Sequence, residues 1–242
     1  MKEIALVSHS KDPVITIAIL TMIGNAITRQ LCEDYANVWQ SQGVRCTAYE
    51  NEKLAPLDAV LMVIFDKSTE PGALGYHDVS PGGRAFSRIF WKPIRDSGGT
   101  LVSGDNSLSV TISHEALELR EDYGCNAWHD MQDAAGTEDA RELCDRVEGD
   151  SYPIDGVSVS NFLGPRAFRK GVGPYDFLGI QGDPRGLTWP FEIRPNGYAI
   201  RRTGGPGGEV HSVFGATYPQ HKKERKLTDT SKAARRGVRT QD

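Results

Sequence analysis

Apolar residues in this chain fall into clusters with two different spacings, and the spacing predicts most of its elements. EIALVS (residues 3–8) and DAVLMVIFD (58–66) are continuous apolar runs of strand length. CTAYE after Gly43 and the alternating stretch RAFSRIFWKPI (84–94) read as further strands. Between EIALVS and CTAYE, PVITIAILTMIGNAI carries its apolar face through Met22, Ala26 and Ile27 into LCEDYANVW. This predicts a helix over about residues 13–41, with Asp12 as N-cap and Pro13 in the first turn. A second helix is predicted over residues 107–121, with Ile112, Leu117 and Leu119 among its apolar positions, Ser107 or Ser109 as its cap and GDNS (104–107) as its entry loop.

Other stretches are less regular. TEPGALGYHDVSPGG holds a short strand, Ala73 to His77, between glycines and prolines. TEDARELCDRVEGD supports two readings, a short helix capped by Thr137 or a strand through Arg141 to Asp145. From Tyr152 onward the pattern is of short strands separated by turns, with Pro195-Asn196-Gly197 predicted as a hairpin turn. The expected class is α+β: a small mixed sheet packed on an N-terminal helix and a second helix, followed by a β-rich C-terminal part.

Composition narrows the picture. A chain of 242 residues with 38% hydrophobic content has enough apolar material for a packed core. Charge is unevenly distributed: residues 221–242 hold eight Lys or Arg against Glu224, Asp229 and Asp242, about +5, which leaves the rest near −9. A single domain over 1–220 and a basic flexible tail over 221–242 are expected. The tail cations lack interleaved aromatics and read as a solubilising or docking extension, so no nucleic-acid partner is expected. The apolar run from Pro13 to Ile27 falls short of the ~20 residues that span a bilayer and has no basic segment close before it, so neither a membrane span nor a signal peptide is expected. Cysteines 32, 46, 125 and 144 form no C-x-x-C pair, which points to reduced thiols in a cytoplasmic setting.

The chemistry is concentrated in SHEALELRED, residues 113–122. On a helix, positions four apart share a side, so His114 and Glu118 can reach one ion while Glu115, about 100 degrees away, stays beside it. This is the spacing of H-E-x-x-H zinc hydrolases with a carboxylate at the second ligand position. A third ligand has to come from elsewhere, and Glu142, Asp145 and Glu148 are the best supply, since three carboxylates so close together repel unless solvated or neutralised by a cation. The bland alternative is a solvated acidic helix face in both places. If the site is catalytic, Glu115 is the general base and His77 or Tyr76, preceding the metal helix, could stabilise an oxyanion, while the short strand there could hold a peptide by β-addition. A turn histidine capping nearby carbonyls is the competing reading of His77. Two anionic ligands would lower the Lewis acidity of the ion, which leaves a structural site open, and oxygen-rich ligation admits Mn or Ca beside Zn.

SHEALELRED followed by ELCDRVEGDSYPIDGVSVSNFLGP resembles a family of small phage and prophage proteins described as metallopeptidases, with S-H-E-x-x-E-x-x-x-D, then E-V-C-D-P-V-E and Y-x-I-D-G-V-x-V-S-x-F. ITRQLCEDYANVW, GALGYHD, NGYAIRR and SVFG are similar to further segments of that family, so the resemblance covers most of the chain. It implies a zincin-like fold, a metal set of His114, Glu118, Glu142 and Asp145 with Asp122 beside it, and zinc as cofactor. It further implies a peptide or protein substrate, or other virion proteins as partners, in host cytoplasm or virion. Tyr123 and Arg146 stand where the family has proline.

Overall fold

The computed structural model describes residues 1–70 and 72–220, so the basic segment 221–242 lies outside the described residues. In chain order the strands are β1 (Glu3–Ser8), β2 (Arg45–Tyr49), β3 (Val60–Phe65), β4 (Gly75–Val79), β5 (Ala85–Phe90), β6 (Trp128–Asp130), β7 (Glu138–Ala140), β8 (Ser151–Ile154), β9 (Val157–Ser160), β10 (Tyr198–Thr203) and β11 (Glu209–Phe214). The helices are α1 (Ile17–Arg29), α2 (Ala36–Trp39), α3 (Trp91–Asp96), α4 (Leu108–Glu121) and α5 (Phe177–Ile180), with a π-helical segment, Gln30–Tyr35, joining α1 to α2. The class is α+β. The described residues group into two compact units, the first made of Met1–Gly124 with Ser151–Ser160 and the second of Cys125–Asp150 with residues 161–220.

The first unit is built on a five-stranded sheet in the order β2-β1-β3-β5-β4. The first four strands run parallel, and β4 closes one edge antiparallel to β5. Ile4, Ala5, Leu6 and Val7 of β1 are all fully buried, which is why the strand reads as an unbroken apolar run and not as an alternation. Helix α1 lies close on β2 at Gly24, where a Cβ would come within 2.8 Å of the Cys46 carbonyl oxygen.

Several element ends differ from the sequence expectation. Helix α1 starts at Ile17, capped by the Thr16 hydroxyl, because Asp12 is committed elsewhere: its carboxylate accepts the Val14 N–H, the Trp91 indole N–H and the Arg95 guanidinium. The strand expected to run to residue 94 stops at Phe90, and Trp91 opens α3. Pro93 explains the stop, since β5 is flanked by strands on both sides and a proline there would leave the ladder without a donor. Strand β4 begins two residues later than predicted. After α4, the β8–β9 hairpin turns at Asp155-Gly156, both with positive φ (49° and 80°), the conformation an Asp-Gly pair favours in a two-residue hairpin loop.

The second unit carries an antiparallel sheet in the order β11-β10-β7-β6. Its hairpin β10–β11 closes over residues 204–208, so Pro195-Asn196-Gly197 is a correction: Gly197 N–H bonds to Arg194 O at 2.8 Å in a turn that leads into β10 without joining two paired strands. Neither reading of residues 137–148 survives. Glu138 and Asp139 are drawn into strand β7 by arginines, with Arg202 at 2.6 Å from Glu138 and Arg201 and Arg146 at 3.1 and 3.3 Å from Asp139, and the chain then makes only a 3₁₀ turn at Asp145–Val147. The buried guanidinium of Arg146 also lies 4.7 Å over the Phe168 ring. Among the described residues, no helix is long and apolar enough to cross a membrane, and the four cysteines are free.

His129 stacks on Phe168 with ring centroids 4.5 Å apart, and its Nε2 accepts the Arg141 Nε–H at 2.8 Å. Burial first, then the charges of Arg141, Arg146 and Arg169, push its pKa down to about 4. The unfolded chain therefore takes up this proton before the folded one, and the contribution of neutral His129 is present above about pH 6.5 and lost as the pH falls toward 4. His129→Gln should lose less melting temperature than wild type between pH 6.5 and pH 4 in thermal melts; equal losses would mean that His129 does not contribute to the acid sensitivity.

Candidate metal centre

Helix α4 carries the motif. Ser107 caps it, its hydroxyl accepting the Val110 N–H at 3.3 Å, as one of the two expected serines. The helix is buried nearly all round, with Leu108, Ile112, Ala116, Leu117 and Leu119 fully covered. Ser109, Ser113, Glu115 and Glu118 are buried with them, so polar groups lie where an ordinary amphipathic helix would place only apolar ones.

His114 and Glu118 meet as the four-residue spacing requires, with His114 Nε2 at 3.3 Å from Glu118 Oε1. The opposite wall is the edge strand β4. Antiparallel pairing sets His77 across from Ser87, and its ring is directed at the helix: Nδ1 is 3.0 Å from Glu115 Oε2 and 3.5 Å from Glu118 Oε2. Carboxylate oxygens only accept, so this geometry calls for the tautomer with hydrogen on Nδ1. Tyr76 faces the other side of the strand, as alternation demands, and packs against Phe86 and Phe90. Of the two candidates for oxyanion stabilisation, His77 is the one that faces the motif, with its Nδ1 directed at the two carboxylates.

Burial sets the electrostatics. His77 is 2% exposed, Glu115 5% and Glu118 0%, while the His114 side chain keeps 16% of its surface. Two carboxylates and two imidazoles thus share a space with little water to solvate charge, an arrangement that cations or proton sharing must balance. His114, Glu115 and Glu118 each offer a ligand atom, and these atoms lie within 4.8 Å of one another. Nitrogen and oxygen donors at that separation fit a divalent ion.

Asp122 is the C-cap residue of α4, one turn beyond Glu118, and its N–H bonds to the Glu118 carbonyl at 2.8 Å. The other expected ligands belong to the second unit: Glu142 follows β7, Asp145 opens the 3₁₀ turn and Glu148 ends it, with Glu142 and Asp145 buried. One contributor escaped the sequence reading. Gly75 on β4 is the position where a Cβ would lie 3.1 Å from both Cγ and Oε1 of Glu115 and 3.0 Å from the Ile89 methyl, so its missing side chain admits the carboxylate. An isolated glycine within a strand is the sequence signal of such a close approach.

This packing predicts a specific coupling. Gly75→Ala should destabilise the protein by roughly 1–3 kcal/mol through overpacking, and shortening the neighbour with Glu115→Asp should recover part of that loss in a double-mutant cycle. Strictly additive unfolding free energies would show that Gly75 does not make room for Glu115.

No protein family, curated protein or solved structure matches this chain.

Proposed function

We propose that the protein is a metal-dependent hydrolase of the metallopeptidase type, with a zincin-like arrangement in which α4 carries the motif and β4 runs along it. The observation that carries this reading is the convergence of His77, His114, Glu115 and Glu118 in a nearly water-free space. Buried carboxylates at hydrogen-bonding distance from imidazoles are costly to assemble without a function for the charge. His114 and Glu118 would hold the ion, zinc being favoured by the imidazole and manganese or calcium admitted by the oxygens. When bound, it would supply a more acidic water and charge stabilisation at a carbonyl oxygen.

The chain's own contribution is an oriented base. His77 Nδ1 engages Glu115 Oε2 and so orients the carboxylate that would take a proton from an attacking water. His77 in this reading orients Glu115 in place of binding an oxyanion. The outer edge of β4 suits an extended peptide added as a further strand, which favours a peptide or protein amide as substrate. A second reading, a metal-stabilised virion or accessory protein without catalysis, is favoured by the low exposure of Glu115 and Glu118, which leaves little room for a substrate carbonyl.

Two measurements separate these readings. His114→Ala and Glu118→Ala should each abolish stoichiometric metal in elemental analysis and lower the melting temperature of metal-loaded protein, since binding is coupled to folding. A wild type that holds no ion after reconstitution removes both readings. Glu115→Gln should retain the ion and cleave a peptide library ~10²- to 10⁴-fold more slowly than metal-loaded wild type. Unchanged cleavage rules out Glu115 as the base; loss of the ion makes it a ligand; and an inactive wild type with bound metal leaves the structural reading.

A further inference from the structure

Ser113, the residue before His114, is fully buried, and its hydroxyl is used twice. It donates to Gln30 Oε1 at 2.6 Å and accepts the Ser160 N–H at 2.9 Å. Gln30 is buried to the same degree and spends both amide hydrogens, on Ser160 O at 2.8 Å and on the Tyr152 hydroxyl at 3.0 Å. Tyr152 in turn donates to Asp34 at 2.8 Å. The network admits one orientation of the Gln30 amide, because turning it over would set its oxygen against the Ser160 carbonyl.

Gln30 opens the π-helical segment, and Tyr35 closes it. Tyr35 donates its hydroxyl to the Glu121 carboxylate, and the Arg120 guanidinium lies 5.5 Å over its ring. In an α-helix the fifth residue onward is rotated about 140 degrees from the first, so the two side chains would face different directions. The wider π turn, with its i→i+5 bonding, brings them toward one side, and such local widenings recur at functional sites. Their two targets on α4, Ser113 and Glu121, flank the segment from His114 to Glu118 and are eight residues apart, or about 12 Å of helix.

We propose that the π segment is a two-point clamp that fixes the rotation of α4, with Gln30, Ser113 and Tyr35 as positioning residues for His114, Glu115 and Glu118. The inference rests on the metal reading of that motif. A helix held only by apolar contacts could turn by the few degrees that packing tolerates. Ser113 and Glu121 tie each end of the motif to hydrogen bonds whose directions are fixed, so rotation about the axis breaks both at once. The conversion of the π segment to regular α-helix would release one of the two ends.

The test uses the full chain as Ser113→Ala, Ser113→Thr and Tyr35→Phe, with Ile4→Val in β1 as a control away from the network. Amide hydrogen exchange on metal-free protein reads the clamp itself, and titration with Co²⁺, followed by its visible spectrum, reads the ligand arrangement. Ser113→Ala and Tyr35→Phe should speed exchange selectively over residues 108–121, weaken Co²⁺ binding ~10- to 100-fold and alter the spectrum, while Ser113→Thr restores both properties and Ile4→Val changes neither. Wild-type Co²⁺ affinity and spectrum in Ser113→Ala and Tyr35→Phe would overturn the proposal, whatever their melting temperatures. If wild type takes up no Co²⁺, the metal reading falls separately and exchange decides the clamp: selective loosening of 108–121 supports it, and uniform or absent change overturns it.

Discussion

A helix covered on nearly every side must satisfy each polar group it carries, and α4 carries four at buried positions. Ser109 is met by the Ser158 carbonyl at 2.6 Å, Ser113 by Gln30 and the Ser160 amide and Glu115 by His77, while Glu118 lies within ion-pair distance of both histidines. An unmet group of this kind costs on the order of 1–3 kcal/mol, more when charged, so the surroundings of α4 are far more constrained than apolar packing alone would make them. The β8–β9 hairpin, the edge strand β4 and the π segment can each be understood as suppliers of partners to this one helix.

That constraint explains which parts of the molecule were readable in advance. The Ser107 cap, the buried β1 and β3 runs and the His114–Glu118 spacing follow from local pattern, because each depends on residues within a turn or on one continuous strand. Elements decided by distant partners were not readable in the same way. Asp12 looks like a helix cap, yet Trp91 and Arg95 claim its carboxylate. Glu138 and Asp139 resemble the first turn of a helix until arginines more than 60 residues away pull them into a sheet.

The candidate site divides along the same line. The motif residues announce themselves by their spacing, and His77 could be named from its place ahead of the helix, though its contact with Glu115 could not. Gln30 carried no chemical signal, since a glutamine within a helical pattern is ordinarily a surface residue; only the π widening and the hairpin turn it inward. Gly75 falls inside the strand predicted over Ala73 to His77, but its purpose depends on a carboxylate 40 residues later.

The interleaving of the two units bears on how the chain assembles during synthesis. The first unit is interrupted after Gly124 and regains only Ser151–Ser160. Until those ten residues emerge, Ser109 and Ser113 of α4 have no Ser158 carbonyl and no Ser160 amide, and Gln30 lacks its main acceptor. The nascent N-terminal sheet can pair early, since its strands are contiguous in the chain, whereas the helix that bears the histidine and glutamates waits for a segment synthesised about 40 residues downstream. Full hydrogen bonding of α4 at Ser109 and Ser113 is thereby a late event, although the histidine and glycine neighbours of Glu115 and Glu118 are all synthesised before it.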